Sequence, residues 1–178
     1  VAEAFADQTR NEYVLSADPA RLDLAAIHGY LAASYWAPGL PLDVLRRAIA
    51  GSVCLGVYRG TEQVGFARVI TDRATFAYLC DVFVLDAHRG RGLGAWLVQA
   101  AAAHPDLQGL RRWVLVTRDA HGLYERFGFR PLARPDGYME LHRPGVYSDA
   151  KALDAEPDAP AEHTPWVGSR FRPFGRGC

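Results

Sequence analysis

Residues 81–97 read DVFVLDAHRGRGLGAWL, from Asp81 to Leu97, and this one stretch decides what kind of sheet the chain builds. Val82, Phe83, Val84 and Leu85 are apolar and mostly β-branched or aromatic, as a buried strand requires. The residues after Gly94 turn Ala- and Leu-rich, as a helix requires. Between the two lie Arg89, Gly90, Arg91, Gly92, Leu93 and Gly94. A strand that passes through such a glycine turn into a helix gathers several unpaired backbone N–H groups and the positive end of a helix dipole at one point. That combination suits an anion, most often a phosphate.

Two well-known phosphate loops do not fit. A P-loop needs Gly-Lys-Ser/Thr after its last glycine, and here Gly94 is followed by Ala95 and Trp96. A dinucleotide fingerprint needs G-x-G-x-x-G in the first βαβ unit, whereas this loop reads G-x-G-x-G in mid-chain. What remains is Arg89-x-x-Gly92-x-Gly94, with glycines placed to let the backbone wrap a pyrophosphate.

Working outward, residues 12–19 read as a short strand closed by Asp18-Pro19. From Asp23, Leu24, Ile27, Leu31 and Tyr35 recur at helical spacing, and the helix runs out before Trp36-Ala37-Pro38-Gly39. Residues 40–51 give a second helix stopped by Gly51. Residues 52–58 and 63–71 form a hairpin about Arg59-Gly60-Thr61, and residues 74–85 a long strand that leads to the glycine loop. A helix over 96–104, a strand over 111–117, a short helix over 120–127 stopped by Gly128, and a last strand over 138–142 complete the order. The expected fold is α/β (α+β), a mixed, mostly antiparallel sheet flanked by helices.

The chain of 178 residues is long enough for one domain with a real core. Beyond Arg143, residues 144–178 turn rich in Pro, Ala and Gly, and are expected to form a flexible tail that docks, if at all, through Trp166, Phe171 and Phe174. Twenty basic and twenty acidic side chains cancel, which argues against a duplex nucleic-acid partner. Three cysteines, Cys54, Cys80 and Cys178, imply no disulfide framework. No signal-peptide pattern and no membrane-length apolar run is visible, so a cytoplasmic protein is expected. No His or Cys spacing suggests a metal.

The motif Arg89-x-x-Gly92-x-Gly94, between strand and helix, resembles the acetyl-CoA motif of the GNAT acetyltransferase superfamily. Leu123-Tyr124-Glu125-Arg126-Phe127-Gly128-Phe129 resembles the same family's Leu-Tyr-x-x-x-Gly-Phe signature, with Ala120 at its small-residue position. The likeness covers residues 13–142 in element order. It implies a domain over residues 1–143 with a bulged central strand, acetyl-CoA as co-substrate, and cofactor contacts from Val82, Phe83 and Val84 and from Arg89 to Gly94. It also implies Tyr124 as the general acid for the departing thiolate. Where family members often carry Asn, seven residues before that tyrosine, this chain has Thr117, whose hydroxyl is a candidate cofactor contact.

Acetyl transfer to an amine needs a neutral amine, a held thioester, a polarised carbonyl and a proton for the thiolate. If a bulge splays residues 81–85 from the strand over 111–117, the gap admits the pantetheine arm, with free N–H groups for its amides and the thioester oxygen. For the base there are two candidates besides water. Asp81 is a carboxylate in an apolar strand, costly unless paired or useful; it either takes the amine's proton, binds an ammonium, or pairs with an Arg. Simple alternation puts it with Leu79, Phe83 and Leu85, opposite Cys80, Val82 and Val84, unless a bulge resets the phase. His121 lies three residues before Tyr124 on one helical face. Tyr35 and Trp36 are candidates to line an acceptor pocket or, alternatively, to staple two helices together; Asp72, Arg73 and Tyr78 are further candidates near it.

The expected function is therefore transfer of acetyl to a primary amine by direct attack in a ternary complex. A small-molecule acceptor is favoured over a protein, with no nucleic acid or membrane, and the chain acts as a monomer or homodimer. The alternatives are a non-catalytic CoA-binding regulatory domain and an acyltransferase using another acyl-CoA.

Overall fold

The computed structural model describes residues 5–143 and 145–147, and all elements named below lie in one compact unit, Val1–His142. A second unit, Arg143–Cys178, falls almost wholly outside the described residues, and the expectations of a flexible tail and of docking by its aromatics fall there with it.

In chain order the elements are β1 (Gln8–Arg10), β2 (Tyr13–Ser16), α1 (Leu24–Ala32), α2 (Leu42–Ala50), β3 (Ser52–Arg59), β4 (Glu62–Thr71), β5 (Phe76–Val84), α3 (Leu93–Ala103), β6 (Arg112–Val114) and α4 (His121–Glu125). The strands form one six-stranded sheet in the order β1-β2-β3-β4-β5-β6. Neighbours are antiparallel except β5 and β6, which are parallel. That exception follows from α3, which carries the chain back across the sheet before β6 begins.

One face of the sheet is the main core. Val53, Leu55 and Val57 of β3, Val64, Ala67 and Val69 of β4, and Ala77 and Leu79 of β5 pack with Leu93, Trp96, Leu97 and Ala101 of α3. On the other face lie Cys54, Arg68 and Cys80, lateral neighbours across three strands, and Phe83, whose ring stacks on Tyr30 of α1 at 3.9 Å.

The feature that positions the site is a bulge in β5. Arg68 pairs with Cys80 and Phe66 with Phe83, so that Asp81 and Val82 together face Ala67 alone, and Asp81 takes φ +53°. The extra residue resets the alternation. Asp81 and Phe83 do lie opposite Val82 and Val84, but Leu79 joins the α3 core with those valines, as Leu85 does by partial burial, while Cys80 moves to the side of Asp81.

Four expectations need correction. The first helix ends at Ala32 rather than near Tyr35, because the Ser34 hydroxyl donates to Leu31 O at 2.6 Å and competes for the carbonyls a longer helix would use. β6 stops at Val114, and α4 covers only residues 121–125. Residues 138–142 form no strand: Met139 is 98 % and Leu141 85 % exposed, with no ladder partner beyond the short β6. Conversely, β1 was not legible; Asn11 at φ +52° makes the turn that folds it onto β2, and Trp96 Nε1 donates to Gln8 Oε1 at 3.0 Å.

Candidate active site

The glycine loop is built from its φ angles. After a 3₁₀ turn at Asp86–His88, Gly90 (φ +74°) and Gly92 (φ +78°) turn the chain so that Gly92 becomes the N-cap of α3. No side chain caps that helix, so the N–H groups of its first turn point outward unused. A Cβ at Gly90 or Gly92 would meet nothing within 4 Å, so it is backbone conformation, not crowding inside the protein, that calls for glycine. At eleven residues, α3 is long enough for its dipole to favour an anion there.

Two side chains brace this loop. His88 is buried, and its Nδ1 shares a 2.9 Å hydrogen bond with Tyr13 Oη. Arg89 donates from Nε to Val84 O at 3.1 Å and from Nη2 to Tyr30 Oη at 3.0 Å, and it pairs with Asp86 at 2.9 Å. Arg89 is thus a strut from the loop to α1, while Arg91, half exposed, lies 3.6 Å from Glu12. Leu93 is buried in the core, leaving only its backbone to the loop.

Beside the loop the sheet opens. β5 and β6 pair only through Phe76/Arg112, Ala77/Trp113 and Tyr78/Val114. Beyond Tyr78 the bulge carries β5 away, and the β6-facing edge of Cys80 to Val84 has no strand against it. A slot lined by backbone results, of the kind that accepts an extended amide-bearing chain.

Tyr124 of α4 lies beyond β6 in the chain, and Cys80 of β5 is among the groups that act on its phenol. With His121, Thr117, Leu115 and Val116, Tyr124 lines a cavity of about 260 Å³. Burial raises the phenol's pKa above its ordinary value, with Tyr35, Asp119 and Cys80 adding to the shift, so the proton is held through the neutral range. Thr117 Oγ1 accepts the Ala120 N–H at 3.0 Å, which starts α4 and leaves the hydroxyl proton free to donate elsewhere.

On the α1 side, Asp81 is not a lone carboxylate. Oδ2 accepts from Arg68 Nε at 2.7 Å, the two side chains being 10 % and 14 % exposed, and Oδ1 accepts from Trp36 Nε1 at 3.3 Å. Arg68 Nη1 donates to Ser52 Oγ at 3.2 Å. Burial pushes the flanking Cys54 and Cys80 thiols up to about 12, so both are neutral. Tyr35 packs edge-on against Trp36, and Arg118 lies over its ring at 3.8 Å. Asp72 is consumed by its own loop, accepting from the N–H groups of Ala74, Thr75 and Phe76, and Arg73 lies 3.6 Å from Asp106.

The structure therefore gathers Tyr124, His121 and Thr117 about one cavity and Arg68 and Trp36 about Asp81, with Tyr35 packed on Trp36 and the glycine loop following the end of β5. Tyr30 and Arg68 were not singled out from sequence. Arg68 carried the same signal as Asp81, a charge inside the apolar run VGFARVIT of β4. Among the described residues no group of His, Cys, Asp or Glu could hold a metal, and no helix is long and apolar enough to cross a membrane.

A mostly antiparallel sheet that splits at a bulged strand beside an uncapped, glycine-lined helix start defines an acetyltransferase of the CoA-dependent kind, and known proteins agree. The family model described as acetyltransferase (GNAT) domain matches residues 50–131. A Gibberella zeae protein named as a putative acetyltransferase is 39 % identical over 153 residues, 72 % of this chain and 85 % of that one. A crystal structure of a GNAT-family protein from Xanthomonas campestris, likewise named a putative acetyltransferase, is 52 % identical with a TM-score of 0.74, covering 76 % of this chain and 96 % of that one. A Clostridium acetobutylicum crystal structure with acetyl-CoA, described as a predicted acetyltransferase, shares the fold at 14 % identity and TM-score 0.55, over 73 % of this chain and 94 % of its own. The chain belongs to the GNAT acetyltransferase family.

Proposed function

We propose that this protein moves the acetyl group of acetyl-CoA to a primary amine of a small molecule by direct attack while both substrates are bound. The slot between β5 and β6 beyond Tyr78 and Val114, ending at the uncapped start of α3, supports this reading. The residues suit the co-substrate: unused N–H groups from Gly90 to Gly94 for the pyrophosphate, and the free edge at Val82 to Val84 for the pantetheine amides. Acetyl-CoA brings an activated thioester. The chain supplies the rest.

Open N–H groups of the bulged strand polarise the thioester oxygen. Tyr124, kept protonated by burial, donates to the departing sulfur. Asp81 receives the proton the amine sheds, directly or through water. His121, which lines the same cavity as Tyr124, is the second candidate for that role as base. Thr117 offers its hydroxyl proton to the cofactor. Tyr35 and Trp36 line the acceptor side. This chemistry needs no metal, nucleic acid or membrane, suits a cytoplasmic setting, and proceeds equally in a monomer or homodimer; the catalytic domain spans residues 1–143.

The test is thiol release from acetyl-CoA against a panel of small primary amines, with Tyr124→Phe as control. Turnover that falls in the variant supports the reading. Acetyl-CoA binding without turnover across the panel would replace it with a protein acceptor or a non-catalytic CoA-binding role, and turnover only with other acyl-CoAs would replace the acetyl group.

A further inference from the structure

The ion pair of Arg68 and Asp81 is more than acetyl transfer alone requires. A base needs only the carboxylate, yet the chain buries a guanidinium against it. Burying two charges is costly, and such a pair is weak evidence for stability. Its surroundings are specific. Ser52 Oγ accepts from Arg68 Nη1 while donating to Ala48 O at 2.7 Å, which fixes the guanidinium from the end of α2. Nη2 has no hydrogen-bond partner among the described residues. Asp81 holds φ +53° at the bulge, in the stretch of β5 that no longer pairs with β6, and its carboxylate meets Arg68 of β4 and Trp36.

We propose that the acceptor is an α-amino acid, its ammonium and carboxylate received by Asp81 and Arg68 and its side chain by Tyr35 and Trp36. The proposal rests on the acetyl-transfer reading and narrows it. A simple alkylammonium approaching Asp81 meets a carboxylate that Arg68 has already neutralised. A zwitterion offers both signs on adjacent groups and matches a site that presents both signs side by side. The neighbours do not disturb this balance, since Cys54 and Cys80 are neutral thiols. Arg118 lies over the Tyr35 ring but is paired with Asp119 at 3.7 Å, so it adds no net charge beside Tyr35, and Arg68 alone is left to receive the carboxylate. Tyr35 and Trp36 remain 52 % and 41 % exposed, apolar area for a side chain to cover. In the step, the ammonium first gives a proton to Asp81 or water. The amine nitrogen then bonds the acetyl carbonyl carbon, the C–S bond breaks, and the thiolate takes the phenolic proton of Tyr124.

The experiment compares matched pairs, phenylalanine with phenethylamine and leucine with 3-methylbutylamine, by thiol release and by calorimetric binding to the protein loaded with CoA. The expected result is an amino acid favoured over its decarboxylated partner by roughly tenfold or more in kcat/KM and in affinity, because the partner leaves Arg68 unanswered. Arg68→Gln should erase that preference while acetyl-CoA affinity stays as it was. Equal or better use of the decarboxylated members by the unaltered protein overturns the proposal and leaves acetyl transfer standing. No thiol release and no binding with any of these members, although acetyl-CoA binds, overturns the proposal, and only the same silence across the wider amine panel overturns the small-amine reading with it.

Discussion

At the scale of single residues, the site depends on positions whose chemistry differs from what their neighbours would tolerate. Gly92 holds φ +78° with open space where a side chain would be. A non-glycine residue there costs about 1–3 kcal/mol of backbone strain and puts atoms where a phosphate must approach. Gly92→Val should therefore weaken acetyl-CoA binding by about tenfold or more, read by calorimetry; unchanged affinity would detach the loop from the cofactor. Tyr124→Phe should lower kcat by roughly a hundredfold with acetyl-CoA affinity preserved. Since burial raises this phenol's pKa, its acid form persists as pH rises, and the unaltered enzyme should show no loss of kcat from this group through the neutral range. A basic limb near neutrality that disappears in the variant would contradict the role.

These residues were legible to different degrees. The glycines and Tyr124 declare themselves because backbone conformation and a fixed spacing leave a pattern along the chain. Arg89 was visible as a positive charge in the loop, but its bonds to Val84 O and Tyr30 depend on where α1 lies, which local sequence does not encode. The Arg68 pairing with Asp81 is likewise a matter of strand register, since thirteen positions separate the two in the chain.

At the scale of elements, the bulge in β5 is what makes a slot out of a sheet. Asp81 supplies the left-handed residue there, a conformation that Asp tolerates and a β-branched residue resists. Asp81→Gly should keep the bulge and acetyl-CoA affinity while removing the acceptor-side charge, so that turnover falls without loss of cofactor binding. Asp81→Val should damage both, and equal acetyl-CoA affinity in the two variants would show that the bulge does not set the slot. Both variants leave Arg68 buried without its partner, so both should lose about 3–5 kcal/mol of folding stability, read by denaturant unfolding. The turn entering β5 depends on a different carboxylate. Asp72 accepts hydrogen bonds from three backbone N–H groups and the Thr75 hydroxyl, which hold its pKa well below the usual carboxylate range. The depressed value means its stabilisation is present above the ordinary Asp pKa and fades as pH falls through the folded one. Asp72→Asn should lower Tm at neutral pH, with the difference closing in strong acid; a gap that widens on acidification would reverse the sign.

Element order was mostly readable from periodicity, and element ends were not. α1 stops where a Ser hydroxyl competes for carbonyls, and β6 stops where β5 departs, so both ends are decided by contacts rather than by composition. The strand expected over residues 138–142 fails for the same reason. Its alternating pattern is real, but no described strand lies beside it.

At the scale of the whole molecule, the sheet has two working faces. The α3 face is core, and the α1 face carries the Arg68–Asp81 pair and the Tyr30–Phe83 stack, so under the proposed function the interior that stabilises the protein is separate from the one that meets the acceptor. The strut from Arg89 links the glycine loop to α1, since Tyr30, which it holds, lies on Phe83 and 6.3 Å from Trp36. If the loop and that wall serve acetyl-CoA and acceptor as proposed, a shift of Arg89 on loading one substrate should be felt by the other. Thermodynamic linkage makes that influence mutual: the factor by which acceptor changes acetyl-CoA affinity must equal the factor by which acetyl-CoA changes acceptor affinity. Tyr30→Phe, which keeps the ring stack and cuts the hydrogen bond, should bring that shared factor toward one, measured as each dissociation constant with and without the other ligand, and a factor left intact would place the communication elsewhere. The enzyme would then be a device whose two substrates report each other's presence through one guanidinium and one phenol.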